Sequence, residues 1–291
     1  MSALTLQSPA KLNLYLKVVG RRPDGYHLLV SLFHRIDLHD TLHLEKRKGG
    51  FALKTTDPRL PVDERNLVTR AYQALRARFP KLGGVSVRLI KRIPVGSGLG
   101  GGSSNAAAFL LGMKRLYRLR MTRKEWLALA EKLGADVPFF LLGVNQAIAK
   151  GIGERLYPRP SKRKHAFILL LSKQGLSTKK VYEALSKRLP AVSLTKVSRA
   201  ATMLSDFLDR KDYGQAARLL HNDLESAAFR LKPAIAKKIA RLAHCGVSTA
   251  RMSGSGPTVF GILSQEQAAE LAQKAGSPGL GREKIVICRT F

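Results

Sequence analysis

The sequence predicts an α+β protein of two domains: an N-terminal α/β domain with a glycine-rich loop over residues 1–160, and a ferredoxin-like α+β domain over residues 161–291. One observation behind this is a glycine-rich loop between a strand and a helix. Val85, Val87 and Leu89 alternate with Ser86, Arg88 and Ile90, the period of a half-buried strand. Residues 106–117 are rich in Ala and Leu, as a helix would be, and residues 96–104 hold five glycines and three serines. The second observation is the order of elements after residue 165: an apolar strand, a run of helices, two strands, a helix and a last strand, which suggests strands with helices on one side. The third is Pro158-Arg159-Pro160-Ser161-Lys162-Arg163-Lys164, a basic, proline-marked linker in a chain of 291 residues, long enough for two cores.

Taken in order, Leu12, Leu14 and Leu16 face one way and Lys11, Asn13 and Tyr15 the other, which makes residues 6–19 a strand. Arg22-Pro23-Asp24-Gly25 is a turn. From Leu32 onward the pattern predicts two strands that bend or turn near Asp40, followed by a basic loop over residues 46–50. Residues 66–79 form a helix with Leu67, Ala71, Ala74, Leu75 and Phe79 on one stripe. Thr122 and Glu125 make a capping box that opens the next helix, which stops at Gly134. Pro138 suits the first turn of a short helix over residues 139–142, so Asp136 sits in the tight connection, where it can be a helix cap or a chemical group. Residues 147–156 read as a hairpin with glycines at its turn. Beyond the linker come a strand over 166–171, helices over 178–187, 196–209, 213–221 and 233–243, and a strand over 249–252. A tight loop at 253–257, a strand over 258–263, a helix over 265–274 and a strand over 284–290 complete the chain.

A glycine-rich loop that leads a strand into a helix aims free backbone N–H groups and the positive end of the helix dipole at one point, which is an anion site and suits a phosphate chain. Gly96-x-Gly98-x-x-Gly101 matches the dinucleotide pattern by letter. That pattern wants an acidic residue roughly 20 residues on, where this chain has Met121-Thr122-Arg123. A Walker loop ends in Gly-Lys-Ser/Thr, and this one ends Gly102-Ser103-Ser104. A loop with no ligand would carry its glycines at an entropic cost that nothing local explains. Phosphoryl transfer asks for cradled phosphates, cations on the developing charge and a group that orients or deprotonates the acceptor hydroxyl. Lys11 and Asp136 are candidates for the last two, the carboxylate taking the proton and the lysine stabilising the alkoxide. Each has a plainer reading too. A lysine on a strand is usually at the surface, Tyr26-His27 can simply end a turn, Ser253-Gly254-Ser255-Gly256-Pro257 can be a bare hairpin, and Asn222-Asp223-Leu224-Glu225 suits helix-end packing.

Composition narrows the class. Hydrophobic residues are 45% and charged residues 24%, a globular mix. No apolar run approaches the ~18 residues of a membrane span, and the N-terminus lacks a basic-then-apolar leader, so a cytoplasmic protein with no membrane partner is expected. Cys245 and Cys288 make no metal spacing, and both read as buried, reduced residues. His34, His39 and His43 lack ligand spacing as well, so no structural metal is expected. The formal net charge is +31, from 51 Lys and Arg against 20 Asp and Glu. The basic residues are scattered over many elements, which reads as a solvated basic surface with incidental, salt-sensitive nucleic-acid binding.

Pro94, Gly98-Leu99-Gly100, Ser103-Ser104 and Ala106 resemble the phosphate loop of the GHMP kinases. Pro9-Ala10-Lys11-Leu12-Asn13-Leu14, Arg22-Pro23-Asp24-Gly25-Tyr26-His27, Gly134-Ala135-Asp136-Val137-Pro138 and Met252-Ser253-Gly254-Ser255-Gly256-Pro257 follow that family's order from Ser8 to at least Leu263. The wording is similar to the branch that acts on a cytidine-diphosphate-linked methylerythritol. The resemblance implies GHMP architecture, ATP with Mg²⁺, and transfer of the γ-phosphate to the 2-hydroxyl of that small-molecule substrate in the non-mevalonate isoprenoid pathway. It implies Asp136 as base and Lys11 as its support. Asn66, Pro94, Gly96, Gly98, Leu99, Gly100, Gly101, Gly102, Ser103, Ser104 and Asn105 would bind ATP. Asn13, Tyr26, His27, Tyr182, Ser253, Gly254, Ser255 and Gly256 would bind the substrate. Among these, His27 would read the cytosine edge, Tyr26 would pack on the cytidine, and Tyr182 would stack on the base.

Overall fold

The computed structural model describes residues 2–161, 163–185, 192–273 and 284–291. Lys162 of the expected linker and the ends of the helices expected over 178–187 and 265–274 lie outside them. The chain begins with two long strands, β1 (Ala3–Arg21) and β2 (His27–Arg47). The predicted turn joins them: Gly25 takes φ 88°, and Arg22 N donates to the Tyr26 carbonyl at 2.7 Å. The break expected near Asp40 is absent, and β2 runs straight through it. The reason is a change of partner. Residues Leu29 to His34 pair with β5 (Gln146–Gly151), whereas Thr41 to Arg47 pair with β4 (Gly84–Ile90). The chain divides into two compact units, Met1–Ala10 with Leu38–Val95 and Gly100–Gly143, and Lys11–Asp37 with Gly96–Leu99 and Val144–Phe291. The units interleave instead of parting at residue 160, because β1 and β2 each serve both.

In the first unit, β3 (Phe51–Thr55), which carried no strand signal of its own, lies parallel to β4. Four helices follow: α1 (Leu67–Arg78), whose apolar stripe was expected, α2 (Gly101–Leu116), α3 (Arg123–Leu133) and α4 (Val137–Leu142). They bury Val68, Leu75, Phe109, Met113 and Phe139 completely, each worth roughly 1.5–3 kcal/mol of transfer free energy. The capping box of Thr122 and Glu125 is formed on both sides. The start of α2 differs from expectation: the helix opens at Gly101, inside the glycine run, and not at residue 106. Small residues permit this, since a Cβ on Gly101 would come within 2.9 Å of Ile93 Cγ2.

In the second unit, β5 and β6 (Arg155–Pro158) form the predicted hairpin, with Gly151 and Gly153 at positive φ in its turn. Then come β7 (Ala166–Leu171), α5 (Thr178–Glu183), α6 (Leu194–Asp209), α7 (Tyr213–Leu219), β8 (His221–Asn222), α8 (Glu225–Leu231) and α9 (Ala234–His244). They are followed by β9 (Arg251–Met252), β10 (Val259–Leu263), α10 (Gln265–Gln273) and β11 (Lys284–Arg289). The antiparallel sheet is ordered β11-β7-β10-β9. That is fourth, first, third, second, the ferredoxin-like order. Leu170, Ile235, Leu242, Met252 and Val259 form its core. The short β8 pairs in parallel with β1 at Tyr15 and Leu16; two residues are too few for a period to show in sequence. Cys288 is buried as expected, but Cys245 is exposed where α9 ends.

Candidate functional site

The glycine loop adopts the conformation that its composition asks for. Gly96, Gly98 and Gly100 take φ of 64°, 77° and 70°, alternating left-handed turns that L side chains resist. Gly98 is further required because a Cβ there would strike the Ser253 carbonyl and come within 2.9 Å of Gly256 N. The loop hands over to α2 at Gly100, which offers no side-chain cap, and the first turn carries no acid. The leading N–H groups of α2 are thus without a side-chain cap, the arrangement that suits an anion.

The side chains in that first turn divide by role. Gly102 is exposed and Ser103 half-buried, whereas Ser104 and Asn105 are buried. Ser104 Oγ accepts from Ser8 Oγ at 2.8 Å. Asn105 Nδ2 donates to Ser8 Oγ and to Asp40 Oδ2, each at 2.9 Å. Asp40, fully buried, is the centre of this network. Its Oδ1 accepts from Arg92 N at 2.7 Å and Ile93 N at 2.9 Å, and its Oδ2 pairs with the Lys91 ammonium. One carboxylate thus ties the entry of the glycine loop to the helix that leaves it. Neither Asp40, Lys91 nor Ser8 was singled out by the sequence, where Asp40 looked like a bend.

Two further residues of this unit were expected in the site. Asn66 is the N-cap of α1, its Oδ1 accepting from Val68 N at 2.9 Å and its Nδ2 donating to the Pro61 carbonyl at 2.7 Å. Asp136 stands at the N-cap position of α4 but makes no capping bond to that helix, so capping does not account for it. The connection that carries it packs on α2: a Cβ on Gly134 would lie 3.9 Å from Ser103 Oγ.

In the other unit, Lys11 and Asn13 are buried, at 4% exposure each, not at the surface as a strand lysine usually is. Lys11 N donates to the Leu99 carbonyl at 3.0 Å, and Lys11 Nζ donates to Asn13 Oδ1 at 2.6 Å and lies 4.7 Å from the centre of the Phe33 ring. Asn13 Nδ2 donates to Ser31 Oγ at 2.9 Å. The loop after β9 meets this strand: Asn13 N donates to Ser253 Oγ, which donates in turn to the Gly98 carbonyl, both at 3.2 Å. Gly254, at φ 55°, has no room for a side chain, since a Cβ would sit 2.9 Å from Asn13 Oδ1. Asn222 does more than pack a helix end. Its Nδ2 donates to the carbonyls of Met252 and Gly254, each at 2.8 Å, while Oδ1 accepts from Leu224 N at 3.0 Å. Ser255 Oγ is 2.8 Å from Thr178 Oγ1 in the first turn of α5.

That short helix also carries Tyr182, whose ring stacks on His27 with centroids 5.1 Å apart and planes inclined by 30°. Burial first, and then the Arg21 guanidinium, push the His27 imidazole below its ordinary range, so it is neutral at pH 7 with one nitrogen donating and the other accepting. Tyr26 is 61% exposed, a large aromatic left open beside that pair in sequence.

Family models describing the GHMP kinases N terminal domain and the GHMP kinases C terminal match residues 66–144 and 203–279. The 4-diphosphocytidyl-2-C-methyl-D-erythritol kinase of Ralstonia nicotianae is 41% identical over 94% of this chain and 91% of its own. The chain belongs to the GHMP kinase family. The protein of the same name from Synechococcus elongatus is 38% identical, covering 94% of this chain and 90% of that one. Among solved structures, a 4-(cytidine 5'-diphospho)-2C-methyl-D-erythritol kinase superimposes with a TM-score of 0.81 at 33% identity over 98% of both chains. The homoserine kinase of Cytophaga hutchinsonii shares the fold at 20% identity and a TM-score of 0.75, over 100% of this chain and 95% of that one. GHMP kinases are ATP-dependent phosphotransferases, and this chain has their architecture. Among the described residues no helix is long and apolar enough to cross a membrane.

Proposed function

We propose that this GHMP kinase moves the γ-phosphate of ATP to the 2-hydroxyl of 4-diphosphocytidyl-2-C-methyl-D-erythritol, in the cytoplasm, as a step of the non-mevalonate route to isoprenoid precursors. The observation that carries the choice of substrate is the His27–Tyr182 pair. An aromatic face with a neutral imidazole beside it suits a pyrimidine base, offering stacking and one donor and one acceptor for its edge. Homoserine and mevalonate carry no base and would leave it idle. Tyr26 would cover the cytidine, and Asn13 with residues 253–256 would hold the methylerythritol end.

The phosphates of ATP would lie on the backbone N–H groups of Gly98 to Ser103, with Pro94, Gly96 and Leu99 shaping the approach. Ser104 and Asn105 would act by fixing that backbone. Asn66 would border the adenine, its amide already engaged in capping α1. Asp136 would take the proton of the 2-hydroxyl as that oxygen bonds to the γ-phosphorus and the bond to the bridging β–γ oxygen breaks, releasing ADP. Lys11 would carry the charge that develops on the attacking oxygen. Mg²⁺ would enter with the triphosphate and neutralise its charge, mostly ligated by phosphate oxygens and water; the half-buried Ser103 hydroxyl would be the side chain of the first turn to join them. The net charge of +31 would favour both anionic substrates and give incidental RNA binding that salt removes.

The test is ADP release from Mg-ATP with the cytidyl substrate, homoserine and mevalonate as parallel acceptors. Turnover with the cytidyl compound alone is expected. Turnover with either of the others instead would keep the family and discard the substrate.

A further inference from the structure

We infer that Ser31 is a positioning residue for the phosphoryl transfer: its hydroxyl sets which way the Asn13 amide faces, and the amide in turn holds the Lys11 ammonium. The inference rests on the proposed roles of Lys11 and Asn13. Ser31 Oγ is 2.5 Å from the Tyr15 carbonyl. A carbonyl only accepts, so the single hydroxyl proton of Ser31 is spent there, and the oxygen can only accept from any other neighbour. That neighbour is Asn13, 2.9 Å away, which must therefore present Nδ2 to Ser31. Oδ1 is then turned to Lys11 Nζ at 2.6 Å, and an ammonium, which only donates, needs an acceptor there.

The opposite amide orientation fails at both ends. It would set the Asn13 NH₂ against the Lys11 ammonium, donor on donor, and would ask Ser31 to supply a proton already given to Tyr15. The chain of donors runs one way, Lys11 to Asn13 to Ser31 to the Tyr15 carbonyl, and it is dry: Ser31 is 0% exposed and Asn13 4%. Its far end is rigid. Ser31 lies in β2 in register with Ala149 of β5, and Tyr15 lies in β1 in register with His221 of β8. The strand ladders thus hold the hydroxyl, the hydroxyl holds the amide, and the amide holds the ammonium. A misplaced catalytic group costs rate steeply, so the hydroxyl serves catalysis without touching substrate.

Ser31→Thr and Ser31→Val test this as a pair, because both add the same bulk to the strand and only Thr keeps the hydroxyl. The expected result is a kcat for Ser31→Val at least roughly 10-fold below that of Ser31→Thr, with the KM for ATP within about twofold between them. The side-chain amide protons of Asn13, followed by ¹⁵N NMR without substrate, should be protected from exchange in wild type and Ser31→Thr, and not in Ser31→Val or Ser31→Ala. Equal kcat values for the Thr and Val variants, or equal amide protection in all four proteins, would overturn the inference and leave Ser31 a packing residue. Absence of turnover with the cytidyl substrate in wild type would defeat the substrate reading alone, and the Asn13 amide signal would then decide the inference by itself.

Discussion

Asp40 and Asn13 are both buried polar side chains on long strands, and they anchor their surroundings in different ways. Asp40 closes its network: two backbone N–H groups, one amide and one ammonium converge on a single carboxylate. Asn13 is a link in an open chain that begins at an ammonium and ends at a strand carbonyl. A closed, charge-compensated knot fixes backbone, here the two sides of the glycine loop. An open, directional chain fixes one functional group. The first should therefore fail as loss of stability and nucleotide affinity, and the second as loss of rate.

The largest expected effect comes from acid, and it would break the comparison by bringing in a third buried cluster. Burial, with His165 alongside, holds His34 at about 3, and burial outweighs Asp209 in holding His165 at about 4, against an ordinary 6.5. Gln146, Thr290 and Phe167 face His34, and Tyr213, Asp209 and Lys211 face His165. Both rings are neutral when folded, so the unfolded chain binds more protons below 6.5. Stability present above pH 6.5 is lost as the pH falls toward 4. Urea midpoints at pH 7.5, 6 and 5 should fall in that order; a flat series would refute it.

Next in size is Asp40→Ala, which leaves the Lys91 ammonium buried without its carboxylate and should cost about 3–5 kcal/mol, with a raised KM for ATP. Adding Lys91→Met should recover part of the stability; no recovery would mean that the backbone bonds, not the charge, carry the effect. Asp136→Asn sharpens the contrast from the side of the proposed base. It should cut turnover by roughly 10²-fold or more while the melting temperature and ATP binding hold, and unchanged turnover would remove Asp136 as base. The smallest effect is expected from Asn222→Ala, which strips one donor group from two loop carbonyls at a cost of about 1–3 kcal/mol. The KM for the acceptor should rise more than that for ATP, and the reverse order would detach the 253–256 loop from the substrate.

What was legible in the sequence was local or periodic. The glycine run, the capping box of Thr122 and Glu125, and the four sheet strands after residue 165 can each be read from neighbouring residues, and each is present, whereas β8 and α8 were not expected and His221 was expected in a helix. The start of α2 was missed because Gly101 to Asn105 look like loop by composition; tertiary burial of Ser104 and Asn105 pulls them into the helix. Asp40 looked like a bend because a buried aspartate in a strand makes sense only with Lys91 and Asn105 in view, both distant in sequence. Ser31 carried no signal at all: a single hydroxyl between Val30 and Leu32 gains its meaning from Tyr15 and Asn13. Asn222 was noticed, yet its bonds to the carbonyls of Met252 and Gly254 belong to main-chain geometry that residue letters do not encode.

The pairing of early strands with late ones has a consequence for how the chain is made. Ile36, near the middle of β2, forms a bridge with Thr290, almost the last residue, and Tyr15 and Leu16 pair with His221 and Asn222. At roughly 5–20 residues per second, a ribosome that has delivered Ile36 takes on the order of 10–50 s to deliver its partner. For that time apolar strand edges that end up buried stand open in the nascent chain. This half of the molecule therefore cannot close its pairing as it is made: its early strands must wait for residues delivered much later.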